Sequence, residues 1–342
     1  MQGKTPTIIA DDKRGFTPQD PEMARRLKAL GACNPVAPVG ACLLDWAIIL
    51  AATAGSWAIF SAAGITVVSV AVYGIAAFMI ASRQQGLQNL IHEASHYNLS
   101  RHRPWNDALC WTATFLLHPF MDMEDQRRVH VRGHHAQFLD LPNDNIFRGY
   151  EMQGLHVLPL PSRWKSLAIL GRGFFRSYRW QVLSKISPTG FLQSTGIPAG
   201  LVGFGLLLAL LALFPRTGLM SVIVWLLYWA VPAVVIVPAI MFVVVTSEHV
   251  STFGTTEFER SRNKLGFLNR VLLHPHGDGF HMLHHLYPGI PHNHLARAHR
   301  LLMKDPVYRN GNHCYGLFFS FGGRRSVLRD LLEGPPRPRP SV

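Results

Sequence analysis

Two long apolar blocks constrain this chain more than any other feature. Residues 43–82 read LLDWAIILAATAGSWAIFSAAGITVVSVAVYGIAAFMIAS, with Asp45 the one charged residue at neutral pH. Forty such residues supply two membrane spans of about 20 residues each. Gly64 marks the place for a tight turn between them. The second block runs from about 199 to 247 and is divided at Arg216, between Pro215 and Gly218. It reads as a second hairpin, with Pro232 and Pro238 expected to kink its second helix, because each removes a backbone hydrogen bond. The spans are placed at about 43–63, 65–90, 199–215 and 218–247. Charged residues make up only 15% of the chain, against about 25% in soluble domains. That balance fits a membrane protein with large polar parts.

The basic residues lie where they orient such a chain. Of 33 Lys and Arg, six precede residue 43, thirteen lie between 83 and 198, and thirteen follow residue 259, leaving Arg216 in a hairpin turn. Lys and Arg favour the cytoplasmic side. Both termini and the long middle segment are therefore expected in the cytoplasm, with both turns outside. The same distribution accounts for the net charge of +13 without nucleic acid as a partner. The expected organisation is a cytoplasmic N-terminal segment (1–42), a membrane domain (43–310) and a partly disordered cytoplasmic tail (311–342) ending in EGPPRPRPSV. Two further stretches, 108–120 and 164–181, mix apolar or aromatic residues with too little length to span. They read as buried or interfacial helices. Cys33, Cys42, Cys110 and Cys314 have no CxxC or disulfide spacing and read as reduced thiols.

The 18 histidines avoid all four predicted spans. Eight fall in three clusters. HEASH holds His92 and His96, HVRGHH holds His130, His134 and His135, and HMLHH holds His281, His284 and His285. His249 sits at the cytoplasmic mouth of the fourth span. The pairs 92/96, 130/134 and 281/285 are each four residues apart, which places them on one helical face. His284, three residues after His281, shares its face. Each pair can offer two imidazoles to one ion, and imidazole suits zinc, iron, copper and nickel. Nine nitrogens are too many for one ion and suit two, with four or five each. The chain thus reads as all-α and membrane-integral, with two helical hairpins and a cytoplasmic helical cap around a histidine-rich two-metal site. The histidines at 102, 118, 156, 274, 276, 292, 294, 299 and 313 are read as surface or structural residues.

The three boxes resemble those of the membrane fatty acid desaturase and hydroxylase family, over about residues 40–300. The run HMLHHLYPGIP is especially similar to that family's third box. The resemblance implies a non-haem di-iron centre that uses O2 and two electrons to attack an unactivated C–H bond. It also implies that the eight box histidines bind iron, with His249 as a further ligand. Loss of a second hydrogen then gives an alkene, which is the expected outcome. Return of oxygen gives an alcohol, and loss of a carboxyl group gives a terminal alkene. A fatty acyl or similar lipid-like chain fits such a site. The chain departs from the family in having Gly279, beside Asp278, where many members have asparagine. Asp278 and Glu93 are candidates to orient imidazoles. The HPGG signature of a fused cytochrome b5 domain does not occur, so a separate ferredoxin, rubredoxin or reductase is the expected electron donor. Trp46, Trp57, Phe60, Trp225, Tyr228 and Trp229 are apolar candidates near a substrate, though core packing explains them as well. Arg127, Arg128 and Arg132 could meet an acyl carboxylate or simply face solvent. Two other classes are disfavoured. A membrane haem protein places histidines inside its spans, and a metal transporter needs polar residues at mid-membrane, for which Asp45 is poorly placed.

Overall fold

A computed structural model describes residues 13–115, 117–118, 121–140, 142–186, 218–320 and 322–335. The described residues are mostly helical. Two long helices come first, α2 (Val36–Ala63) and α3 (Val67–Ser95), after the short amphipathic α1 (Pro21–Ala29). The turn between them is made by Gly64, at φ 66°, where a side chain would be strained. Thr66 then caps α3, and its hydroxyl and that of Ser69 satisfy each other's backbone N–H groups. The expected hairpin is therefore present, with α2 beginning seven residues before the apolar run.

The next long helical run covers Met220–His249. It starts as α8 (Gly218–Trp225), passes through two π-helical segments (Leu226–Ala230 and Pro232–Ile236) and ends as α9 (Val237–His249). Widening is how the chain absorbs Pro232. The N–H of Val237 donates to the Pro232 carbonyl five residues back, so the helix runs on through Pro232 with wider turns. Three helices among the described residues are thus long and apolar enough to cross a membrane. The span expected at 199–215 lies outside the described residues.

On α2 most of the apolar surface faces outward, with Leu43, Leu44 and Leu50 exposed while Asp45, Ile49 and Ser56 are buried. A helix apolar all round and half-uncovered by protein suits lipid contact. The expected aromatic set packs helix on helix. Trp46 stacks on Trp229 at 5.1 Å, and Tyr228 meets Trp57 and Tyr73 edge-on. The Tyr228 hydroxyl shares a 2.8 Å hydrogen bond with Ser56.

The polar parts gather where α3 and α9 end. Helices α4 (Arg103–Thr114), α5 (Met123–Gln126), a π-helical segment (Arg127–His135), α6 (Asn145–Gln153) and α7 (Arg163–Ile186) lie between the apolar helices in sequence. α10 (His281–Leu286), α11 (His292–Leu302) and α12 (Val327–Glu333) follow them. α4 buries Asn106, Cys110 and Ala113 and exposes Trp105 and Trp111, and α7 exposes Trp164, Phe175 and Trp180. One core joins α1 to α10 and α11 through Met23, Leu27, Leu283 and Leu295. A second joins α6, α7 and the end of α9 to α12 through Phe147, Leu170, Val250 and Leu331. His313–Cys314 pairs in parallel with Asn263–Lys264, and Asp330 of α12 bridges the fully buried Arg262 at 3.2 Å. Removing one partner of such a pair costs about 3–5 kcal/mol, so this contact holds α12 against the segment that follows α9. Residues 336–342 lie outside the described residues.

Candidate metal centre

Nine histidines converge at the ends of α3 and α9. They form two groups. His92, His96, His130, His135 and His284 make one, and His134, His249, His281 and His285 the other. Within each, one nitrogen per residue lies within 4.8 Å of all the rest. These are the eight box histidines and His249. The other described histidines stand outside both groups.

Four elements supply the groups. The last turn of α3 carries His92, and its C-cap is His96, four residues on and on the same face. The last residue of α9 is His249. Every residue of α10 is buried, and it contributes His281, His284 and His285. The remaining three lie on the π-helical segment, and here the spacing argument needs correction. His130 and His134, four apart, do not share a group. The segment is wound with hydrogen bonds to the fifth residue, as in Ala136 N–H to Val131 O at 2.9 Å. Residues five apart therefore come into register, and His130 pairs with His135, Nε2 to Nε2, at 3.2 Å. His284 likewise leaves His281 for the other group. Each adjacent doublet, His134–His135 and His284–His285, is split between the two groups. Consecutive helical residues point in different directions, so a doublet is suited to serve two sites at once.

The distances test whether cations fit. Nε2 atoms meet at 2.8 Å (His249–His281), 3.1 Å (His281–His285) and 3.1 Å (His135–His284). Two imidazole nitrogens bound about 2.1 Å from one ion lie about 3.0 Å apart at a right angle and about 3.4 Å at a tetrahedral angle. The observed contacts match the edges of such a polyhedron. Hydrogen bonding alone does not satisfy them. His249 donates its Nδ1–H to the Arg260 carbonyl at 2.8 Å, so its Nε2 bears a lone pair. His134 donates Nδ1–H to Asp144 at 3.0 and 3.2 Å, which fixes its ring. The Nε2 of His96 is buried with no hydrogen-bond partner. Bare nitrogens turned towards one another call for a shared cation, and ligating imidazoles are commonly held in this way through their other N–H.

The electrostatics point the same way. Burial and mutual repulsion hold His130, His135, His281, His284 and His285 well below the ordinary imidazole value, burial first. They are neutral at pH 7 and free to bind a metal. Neither group contains a carboxylate or thiolate. All-nitrogen sites leave the cation's charge unneutralised and suit iron, zinc, copper or nickel.

The surrounding residues differ in part from expectation. Asp144 is the carboxylate that orients a box histidine, and spacing gave no sign of it. It is legible only as the cap of α6, where it also accepts from the N–H groups of Ile146 and Phe147. Glu248 lies 3.6 Å from His281 Nδ1 and 3.3 Å from the fully buried Lys264. Glu93 accepts the His292 backbone N–H at 2.7 Å and stays 3.9 Å from His92, so its main contact fixes the start of α11. Asp278 pairs with His274 at 2.8 Å, and no box histidine is its hydrogen-bond partner. Gly279 is required there by close approach, since a Cβ would stand 2.5 Å from the Lys264 carbonyl oxygen. The three arginines are engaged by acids. Arg127 meets Asp107, Arg128 meets Asp125, and Arg132 reaches Glu124 at 2.8 Å. His294 and His313 hold backbone carbonyls.

Comparison with known proteins agrees with this geometry. A family model described as "Fatty acid desaturase" matches residues 69–315, which hold all nine histidines. A protein from Bradyrhizobium elkanii named dihydrorhizobitoxine desaturase is 27% identical over 321 residues, covering 90% of this chain and 88% of that protein.

Proposed function

The chain belongs to the fatty acid desaturase family, and from that premise we propose that it is a membrane-bound di-iron oxidoreductase that desaturates a fatty acyl or similar lipid-like substrate. The observation that carries the reading is the division of nine imidazoles into two adjacent all-nitrogen groups. Two irons held there would supply, with O2 and two electrons, the power to remove hydrogen from an unactivated carbon.

The protein's own residues do the rest. His92, His96, His130, His135 and His284 are assigned to one iron, and His134, His249, His281 and His285 to the other. Asp144 and the Arg260 carbonyl fix the tautomers of His134 and His249. The split doublets hold the two groups side by side, with the rings of His135 and His285 stacked at 4.4 Å. Short backbone links of this kind keep a pair of sites at constant separation, which serves a reaction that needs both. The outward apolar faces of α2 and α3 suit a chain lying among lipids while its reactive carbon meets the histidines. The site and both termini are assigned to the cytoplasm by the basic residues, and the electrons come from a separate carrier protein. Desaturation is preferred to hydroxylation or decarboxylation because the similar protein bears a desaturase name.

Lipid and volatile profiles of cells expressing the wild type and His285→Ala test this. The expected result is a new double bond in a lipid-like product, present only with the wild type. Identical profiles contradict the reading. A histidine-dependent alcohol or a terminal alkene one carbon shorter keeps the oxidase and moves the outcome.

A further inference from the structure

Desaturation at such a centre consumes protons. A CH2–CH2 unit, one O2, two electrons and two protons become an alkene and two waters. The histidines that bind metal cannot supply those protons, because binding requires them neutral. A small cleft opens beside them, lined by His92 and His284 of one group, His281 of the other, and Asn89, Glu93, His276 and Asp278. His276 is the one imidazole on its wall outside both groups.

Its placement is specific. His276 sits at φ 57°, ψ 32°, a left-handed conformation that costs energy for any residue with a Cβ. That backbone turn brings Nε2 to 2.6 Å from Asp45 Oδ2, 231 residues away on α2. Asp45 is fully buried. Gly86 leaves the space it occupies, since a Cβ there would come within 2.5 Å of Oδ2. The loop itself is pinned, with Asn89 donating to the Pro275 carbonyl at 2.8 Å. The groups facing His276 are Asp45 of α2, Arg83 of α3 (3.4 Å from Asp45), His292 of α11 (rings 5.7 Å apart), and Glu93 and Asp278 across the cleft. His276 Nδ1 has no hydrogen-bond partner among the described residues.

We propose that Asp45 and His276 form a proton-delivering dyad for the cleft between the two metal groups. The proposal rests on the oxidase reading above. The Asp45 carboxylate accepts Nε2–H and fixes the ring. With iron and O2 in place, the proton on Nδ1 would pass through a water to the oxygen being reduced, the Nδ1–H bond breaking as the O–H bond forms. Solvent returns the proton through the edge of His276 that stays exposed, so Asp45 ends each cycle as it began. The oxidant is O2, and the electrons come from the separate carrier protein.

The test compares the iron-loaded wild type with His276→Asn and Asp45→Asn in membranes, using O2 and the total fatty acids of the expression host as probes. Asparagine tolerates the left-handed backbone but cannot relay protons. Iron content, melting temperature, product per O2, hydrogen peroxide release and the rate ratio in H2O and D2O are measured. For His276→Asn the proposal predicts unchanged iron and melting, a fall in turnover of about 10²-fold, more peroxide, and a larger solvent isotope effect. Asp45→Asn leaves the buried Arg83 without its carboxylate and lowers melting, with the same rise in peroxide and isotope effect. Unchanged peroxide and isotope effect in His276→Asn overturn the proposal. So does joint loss of iron and melting temperature in His276→Asn, which makes the pair a structural clamp. A wild type that binds no iron and consumes no O2 fails the oxidase reading itself, and the dyad with it.

Discussion

At the residue scale, the nine histidines were legible in the sequence and the residues that hold them were not. Clustering identifies a ligand by its neighbours in sequence. Asp144 acts through a loop that returns to His134 after ten residues, so spacing carries no trace of it. Its hydrogen bonds to Nδ1 at 3.0 and 3.2 Å give a direct expectation. Asp144→Asn lowers iron affinity by about 10–100-fold, measured by competition with a chelator. His313→Ala, whose ring meets the Tyr308 carbonyl and the Asn263 side-chain amide and stands outside both groups, leaves affinity unchanged. Acid acts on the same imidazoles. Their folded values lie below the ordinary 6.5, so the unfolded chain takes up protons first as pH falls. Stability is therefore full above about 6.5 and declines below it. Protonation of the ligands releases iron in the same direction, but at lower pH, because burial holds their folded values down. Iron release followed against pH checks the sign, and retention that improves on acidification contradicts it.

At the scale of elements, period and hydropathy predicted the α2–α3 hairpin and the extension of α3 that carries His92 and His96. They failed on the segment Arg127–His135. HVRGHH read as an α-helix pairs His130 with His134. The π-helical winding pairs His130 with His135 instead, and nothing in composition announces an i+5 hydrogen bond. At Pro232, where a kink is expected, the turns are widened, and no composition signal announces that winding either. The proposed orientation rests on the basic flanks of the apolar helices. Ile65, in the α2–α3 turn, is 82% exposed, and Arg300 of α11 is exposed on the other side of the apolar helices. In a background with Cys33 and Cys42 replaced by serine, Ile65→Cys is expected to react with an impermeant thiol reagent on intact cells. Arg300→Cys is expected to react only after permeabilisation. The opposite pattern places the histidines outside.

At the scale of the whole molecule, the two ends of one membrane body and a long middle segment meet in a single site. His92 and His285 are 193 residues apart, and α10 reaches the end of α3 only because residues from both flanks pack around it. The core of α1 with α10 and α11, and the Arg262–Asp330 pair that draws in α12, hold that arrangement. Neither is visible as a motif. Long-range packing of a short helix such as α12 leaves no periodic signal. The measurement that tests the central claim most directly is iron per chain in the purified protein, read with its optical spectrum. Two irons per chain and no haem absorption are expected. One iron, no iron in a fully active preparation, or haem would contradict a histidine-ligated di-iron centre.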